Sequence, residues 1–208
     1  MNNKNKIEKY IEKIQHAITV AGLNYDIWRI YKTKKYRKLL IEADDSYSLF
    51  FQTSIHAHFL GILFPLYRLF ETRNDTVNFN QLLILLQQDK KFSKKDITRL
   101  KKRIDNMKSL WTKVSVLRNK VFGHESNKFS INPWHQAKIT PNNIRTIIKK
   151  IRKLLNDISY KLDRKTYSFN LSAKSSTINL LKDLRKINKL YNNALHLTGR
   201  SAQSCPPE

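Results

Sequence analysis

Apolar residues recur along most of this chain at spacings of three and four, the period of a helix face, and no convincing run follows the two-residue period of a strand. Ile7, Ile11, Ile14, Ile18 and Ala21 lay out a first amphipathic helix, which the pattern ends near Gly22. Tyr25, Trp28 and Tyr31, with a basic run through Lys38, place a second helix with its aromatics on one side. A third helix, capped by Asp44, Asp45 or Ser46, runs to about Phe70. Its apolar residues cover more than one face, as a central helix requires, and Pro65 should kink it by deleting the bond to the Gly61 carbonyl. Asn74-Asp75 is a turn, Phe79 to Gln88 a short helix, and Ser93 caps a long helix that Gly123 ends. Along that helix Ile97, Leu100, Ile104, Met107, Trp111, Val114, Arg118 and Val121 share one face.

Residues 129 to 139, with Pro133 and Trp134, read as an irregular loop. Thr140-Pro141 is a cap with proline at the first helical position, and Ile144, Ile147, Ile151, Leu154, Ile158 and Leu162 carry the helix that follows. The last helix starts at Ser175 or Ser176 and turns Ile178, Leu181, Leu184, Ile187, Tyr191 and Leu195 inward. The expectation is an all-α protein: one helical domain over residues 1–197, with residues 198–208 a small, polar, disordered tail.

Composition turns this outline toward a class of partner. The chain has 208 residues and is 40% hydrophobic, enough to bury a core of its own. It also has 40 Lys and Arg against 16 Asp and Glu, a net charge of +24, which favours RNA, DNA or an acidic protein as partner. A biased codon usage explains abundant lysine but not scarce glutamate. The single cysteine, Cys205, allows neither a disulfide framework nor a zinc set within one chain and suits a reducing cytoplasm. The N-terminus leads into no apolar segment of the kind a signal peptide needs. Phe50 to Phe70 is the one membrane candidate, but Gln52, His56, His58, Pro65 and Arg68 make it a better core helix. The expected location is the cytoplasm, with no membrane.

Arg118 interrupts the apolar stripe of its helix. A guanidinium cannot be neutralised and is costly to bury alone, so Arg118 is expected to face a partner chain, a carboxylate or a phosphate. His124 follows within two turns, and the spacer Lys120-Val121-Phe122-Gly123 supplies apolar anchors and a glycine for a bend. Without that bend, about 100° per residue would put Arg118 and His124 on different faces. An arginine to hold a phosphate and a histidine to move protons suffice for metal-free RNA cleavage, because RNA carries its own 2′-hydroxyl nucleophile. Taken singly, Arg118 also fits a structural ion pair, His124 a helix C-terminus and Asn119 a solvated position. Arg68 is either a second phosphate-facing cation or a partner for Glu71 or Asp75. Lys101, Lys102, Arg103 and Lys120 are solvated by default and would serve as an RNA track. His56 and His58 point to different faces and make no metal pair; no metal or cofactor is expected.

Arg118-Asn119-Lys120-Val121-Phe122-Gly123-His124 resembles the signature of the HEPN superfamily (higher eukaryotes and prokaryotes nucleotide-binding domains). The aromatic helix around Trp28, Phe50-Phe51, and Leu66-Tyr67-Arg68-Leu69-Phe70-Glu71 before an Asn-Asp turn are similar to its abortive-infection AbiU-like branch, over about half the chain. Members of that branch often have Ala before the histidine and an acid two residues beyond; this chain has Gly123, and Glu125 follows His124 directly.

The resemblance implies a HEPN-like bundle with additional C-terminal helices that pairs as a homodimer and forms one composite cleft from two motifs. It implies a metal-independent endoribonuclease, a toxin or antiphage effector restrained by an antitoxin such as a nucleotidyltransferase or an acidic protein. Arg118 would hold the scissile phosphate, His124 would transfer protons, and Asn119 would orient the histidine or a phosphate oxygen. The competing expectations are a non-catalytic RNA-binding or adaptor HEPN domain and a nucleoid-type assembly protein.

Overall fold

In the computed structural model, which describes residues 3–44, 47–119 and 137–197, the described residues form eight helices and no strand. They are α1 (Asn3–Lys32), α2 (Lys34–Asp44), α3 (Ser48–Phe70), α4 (Phe79–Gln87), α5 (Lys94–Asp105), α6 (Lys108–Leu117), α7 (Pro141–Asp163) and α8 (Lys174–Leu197). The all-α expectation holds. The chain divides into two compact units, Met1–Tyr25 with Phe59–Leu171 and Asp26–His58 with Ser172–Glu208. The division falls inside α1 and inside α3.

The first unit is built on the apolar faces legible in the sequence. Ile7, Ile14 and Ile18 of α1, Ile62, Leu63, Leu66 and Leu69 of α3, Leu82 and Leu86 of α4, and Ile151, Leu154 and Leu155 of α7 are wholly buried. Each contributes about 1.5–3 kcal/mol on removal from water. Two of the expected caps form, whereas Asp44 belongs to α2, and Asp45 and Ser46 lie outside the described residues. Ser93 and Asp96 make a capping box at α5, and Thr140 and Asn143 make one at α7, with Pro141 in the first turn. Asn78, fully buried, caps α4 by accepting from the Gln81 amide at 2.9 Å, and donates to the Arg73 carbonyl at 2.8 Å.

Two boundaries in the first unit differ from the pattern. Helix α1 passes through Gly22, because this glycine serves packing and is not a terminus: a Cβ there would stand 2.2 Å from Nη2 of Arg152 on α7. The long helix expected from Ser93 is two helices. At Met107 the amide bonds back only three residues, to Ile104 at 2.9 Å, and tightens the turn between α5 and α6. The stripe survives the break, with Ile97, Leu100, Ile104, Met107 and Val114 buried, which is why periodicity alone could not see it. Helix α3 continues through Pro65 to Phe70 as one element.

The second unit packs α2 against α8 around Ile30, Tyr31, Ala43, Phe51 and Leu181, with Tyr31 and Phe51 edge to face at 5.6 Å. Asn188 donates its amide to the Glu42 carbonyl at 3.2 Å, and Arg185 pairs with the Glu42 carboxylate at 3.4 Å; together they tie α8 to the end of α2. The inward stripe expected along all of α8 holds only partway. Leu181 is buried, whereas Ile187 and Tyr191 are 54% and 62% exposed. Thr177, Leu181 and Asn188 mark the buried face of α8, and Ile187 and Tyr191 lie off it.

By length and composition α3 could cross a membrane. Its segment from Phe59 onward instead supplies buried residues to the first unit, while Leu49 and Phe50 at its start are exposed.

Candidate functional site

The site grows out of the end of α6. Val114 and Leu117 are buried, which fixes the rotation of the helix and leaves Arg118 half-buried at its C-cap with helical backbone angles, φ −57° and ψ −44°. Residues 118 and 119 continue as a wider π-type turn. The Arg118 guanidinium carbon lies 4.7 Å from the centre of the Tyr67 ring and 6.0 Å from that of Phe64, both on α3. An aromatic face is one of the few apolar surfaces that a desolvated cation tolerates.

Tyr67 is itself held by α6. Its ring stacks on Trp111 at 5.9 Å with 26° between planes. The Trp111 indole donates to the Tyr67 carbonyl at 3.1 Å. That carbonyl belongs to the last turn of α3, where no intrahelical amide remains to serve it. Trp111 therefore closes the helix end and orients the ring on which Arg118 rests.

Asn119 is exposed and turned toward its neighbour. Its carbonyl accepts from Nη1 of Arg118 at 3.0 Å, and its Nδ2 donates to the Ser115 hydroxyl at 3.4 Å. Asn119 thus orients the guanidinium; the histidine to which the sequence tied it lies outside the described residues. Nε of Arg118 is buried without a hydrogen-bond partner among the described residues, and no carboxylate among them forms an ion pair with this arginine. Among the described residues the cation is organised but not neutralised.

A cleft of about 400 Å³ opens beside it, lined chiefly by His16 of α1, Phe64, Tyr67 and Arg68 of α3, Glu71 just beyond α3, and Arg118. Arg68 is exposed in this cleft. It pairs with neither of its expected acids: Asp75 is taken by Arg73 at 2.9 Å, and Glu71 makes no ion pair among the described residues. His16 escaped the sequence reading. It sits at the exposed edge of the α1 stripe with no local motif, and only the packing of α1 near α3 and α6 brings it to the cleft.

Other candidates lie elsewhere. Lys101 and Lys102 are exposed on α5, and Arg103 pairs with Asp157 of α7 at 2.7 Å, in a groove where Asp96 binds Lys161 and Arg99. These residues do not line the Arg118 cleft. Lys120 and His124 lie outside the described residues, as do Gly123 and Trp134. Among the described residues no group of three or more His, Cys, Asp or Glu could hold a metal ion. His58 belongs to the second unit, where burial lowers the pKa of its imidazole. As a whole, the cleft presents two guanidinium groups, an imidazole, aromatic faces and one carboxylate, a set suited to a phosphate-bearing ligand with a planar polar group.

A family model for HEPN domains of the AbiU2 type matches residues 4–182, from the start of α1 into α8, and includes Arg118, Asn119 and His124. No curated protein and no solved structure matches the chain.

Proposed function

The chain belongs to the AbiU2 family of HEPN domains, and on that premise we propose that it is a metal-independent endoribonuclease, the effector of an abortive-infection or toxin–antitoxin system. The observation that carries this reading is Arg118: half-buried, stacked on Tyr67, oriented by Asn119 and, among the described residues, with neither a partner for Nε nor a neutralising acid. A structural arginine would have a carboxylate; a phosphate-binding one keeps its donors in reserve.

In the reaction, the 2′-oxygen attacks the adjacent phosphorus as its proton passes to a base, and the P–O5′ bond breaks as the leaving oxygen gains a proton. Products are a 2′,3′-cyclic phosphate and a 5′-hydroxyl. Arg118 binds the non-bridging oxygens and stabilises the charge that grows on them. His124 supplies the proton transfers, a role that rests on its spacing from Arg118; a homodimer brings a second copy for the second transfer. The charge of +24 draws in RNA and equally an acidic antitoxin that masks the site.

The test is cleavage of mixed RNA in EDTA by wild type, Arg118→Ala and His124→Ala, with dimerisation of each measured by sedimentation. Wild type is expected to release cyclic-phosphate ends. Arg118→Ala should lose about 10²–10³-fold and His124→Ala about 10²–10⁴-fold. RNA that wild type binds but leaves intact, with the site open, would replace this reading with an RNA-binding adaptor.

A further inference from the structure

We propose that the cleft beside Arg118 seats one nucleotide of a single RNA strand and selects its base. In this seat Arg68 and Arg118 hold phosphate, Phe64 stacks under the base, and Glu71 accepts from an exocyclic amino group. The inference rests on the ribonuclease reading for its substrate class, but its geometry stands apart from His124.

Four observations converge. Arg68 and Glu71 are three residues apart beside the end of α3, a spacing that ordinarily favours an ion pair, and they do not make one. Both the guanidinium and the carboxylate are therefore available to a ligand. Second, Phe64 is 42% exposed although its neighbour Leu63 is fully buried. Tyr67 is engaged by Trp111 and, at 4.7 Å, by Arg118, whereas Phe64 meets Arg118 only at 6.0 Å, so Phe64 offers the freer aromatic face for an incoming ring. Third, the cleft volume of about 400 Å³ falls in the range that a group of nucleotide size fills. Fourth, His16 lines the same cleft with an imidazole that has no hydrogen-bond partner among the described residues, a donor or acceptor for phosphate or ribose.

Glu71 decides the kind of ligand. In a chain of net charge +24, a carboxylate within a cluster of cations repels an acidic peptide. A nucleotide satisfies both signs, because its phosphate is anionic while its base edge offers hydrogen-bond donors. A carboxylate accepts the amino group of cytosine and has no partner at the corresponding carbonyl of uracil. The seat should therefore prefer cytosine to uracil, two bases of the same size.

The experiment uses 2′-O-methyl hexamers of cytidine and of uridine, which carry the phosphates but no nucleophile, and reads binding by fluorescence anisotropy across a salt series. Wild type is expected to bind the cytidine hexamer about tenfold more tightly. Glu71→Gln should erase that preference. Arg68→Ala should weaken both hexamers alike and lower the salt slope by about one, with Arg68→Lys restoring part of it. Phe64→Ala should weaken both by about tenfold. Circular dichroism confirms that each variant is folded; these are exposed or half-buried positions.

Unchanged binding of both hexamers in Arg68→Ala, Phe64→Ala and Glu71→Gln would overturn the seat even if wild type cuts RNA. A cytidine preference lost in Glu71→Gln, in a protein that cuts no RNA, would keep the seat and remove the nuclease.

Discussion

Trp111 joins the end of α3 to the ring beneath Arg118, so Trp111→Phe tests the architecture of the site directly. The indole N–H serves the Tyr67 carbonyl at 3.1 Å, and helix α3 ends at Phe70, so no intrahelical amide can replace it. A phenylalanine keeps a ring against Tyr67 but removes the donor. Losing one hydrogen bond costs about 0.5–1.5 kcal/mol, and more where the abandoned acceptor stays out of water. Tyr67 is half-buried, which places the polar cost near the middle of that range, about 1 kcal/mol. The smaller ring forfeits part of the stack at 5.9 Å and leaves a partial cavity, adding about 1 kcal/mol. The sum, about 2 kcal/mol, corresponds to a fall in Tm of about 4–8 °C for a chain of this size. Urea unfolding followed by far-ultraviolet circular dichroism reads the energy, and calorimetry reads the Tm. The same variant in a Tyr67→Leu background separates the two parts, since the backbone carbonyl remains while the ring contact goes. The hydrogen-bond share should persist and the stacking share should vanish. Trp111→Phe within about 0.5 kcal/mol of wild type would refute the claim that the indole closes the helix end.

Asp96 should make stability depend on acid. The Lys161 ammonium and the Ser93 hydroxyl and amide hold its carboxyl well below the usual carboxylate range, so its contribution is full above about pH 4 and drains away as the pH falls further; between pH 5 and 2 the Tm of wild type should fall more than that of Asp96→Asn, and parallel curves would contradict this. Gly61→Ala should destabilise the first unit by about 1–3 kcal/mol, because the new Cβ would stand 2.5–2.8 Å from the Asn24 amide group, and an Asn24→Ala background should relieve most of that loss in urea titrations. Arg118→Lys keeps the charge but loses the planar contact with Tyr67 and the bond to Asn119; RNA cleavage is expected to drop at least tenfold, with stability within about 0.5 kcal/mol of wild type. Full activity in the lysine variant would mean that charge alone suffices.

The sequence by itself determined the helices, because their information is local. Three- and four-residue spacing, the Ser93 and Thr140 caps and the Asn74-Asp75 turn each act within a few residues. It also marked Arg118, since a guanidinium in an apolar stripe is anomalous wherever that stripe packs. What the sequence could not hold is whatever depends on a neighbour brought close by folding. Gly22 looked like a terminus until Arg152 proved to lie against it, and Met107 hid a break that a stripe of threes and fours passes over. The later apolar residues of α8 looked inward, although the face that meets α2 there carries Asn188. The same reason governs the site. Asn119 and Arg118 are adjacent in the chain, but Arg68, Glu71 and His16 reach the cleft from distant parts of it, as does Tyr67, fixed in place by Trp111, a residue 44 positions away. Periodicity states which face of a helix is buried; only the packed helices decide what that face meets.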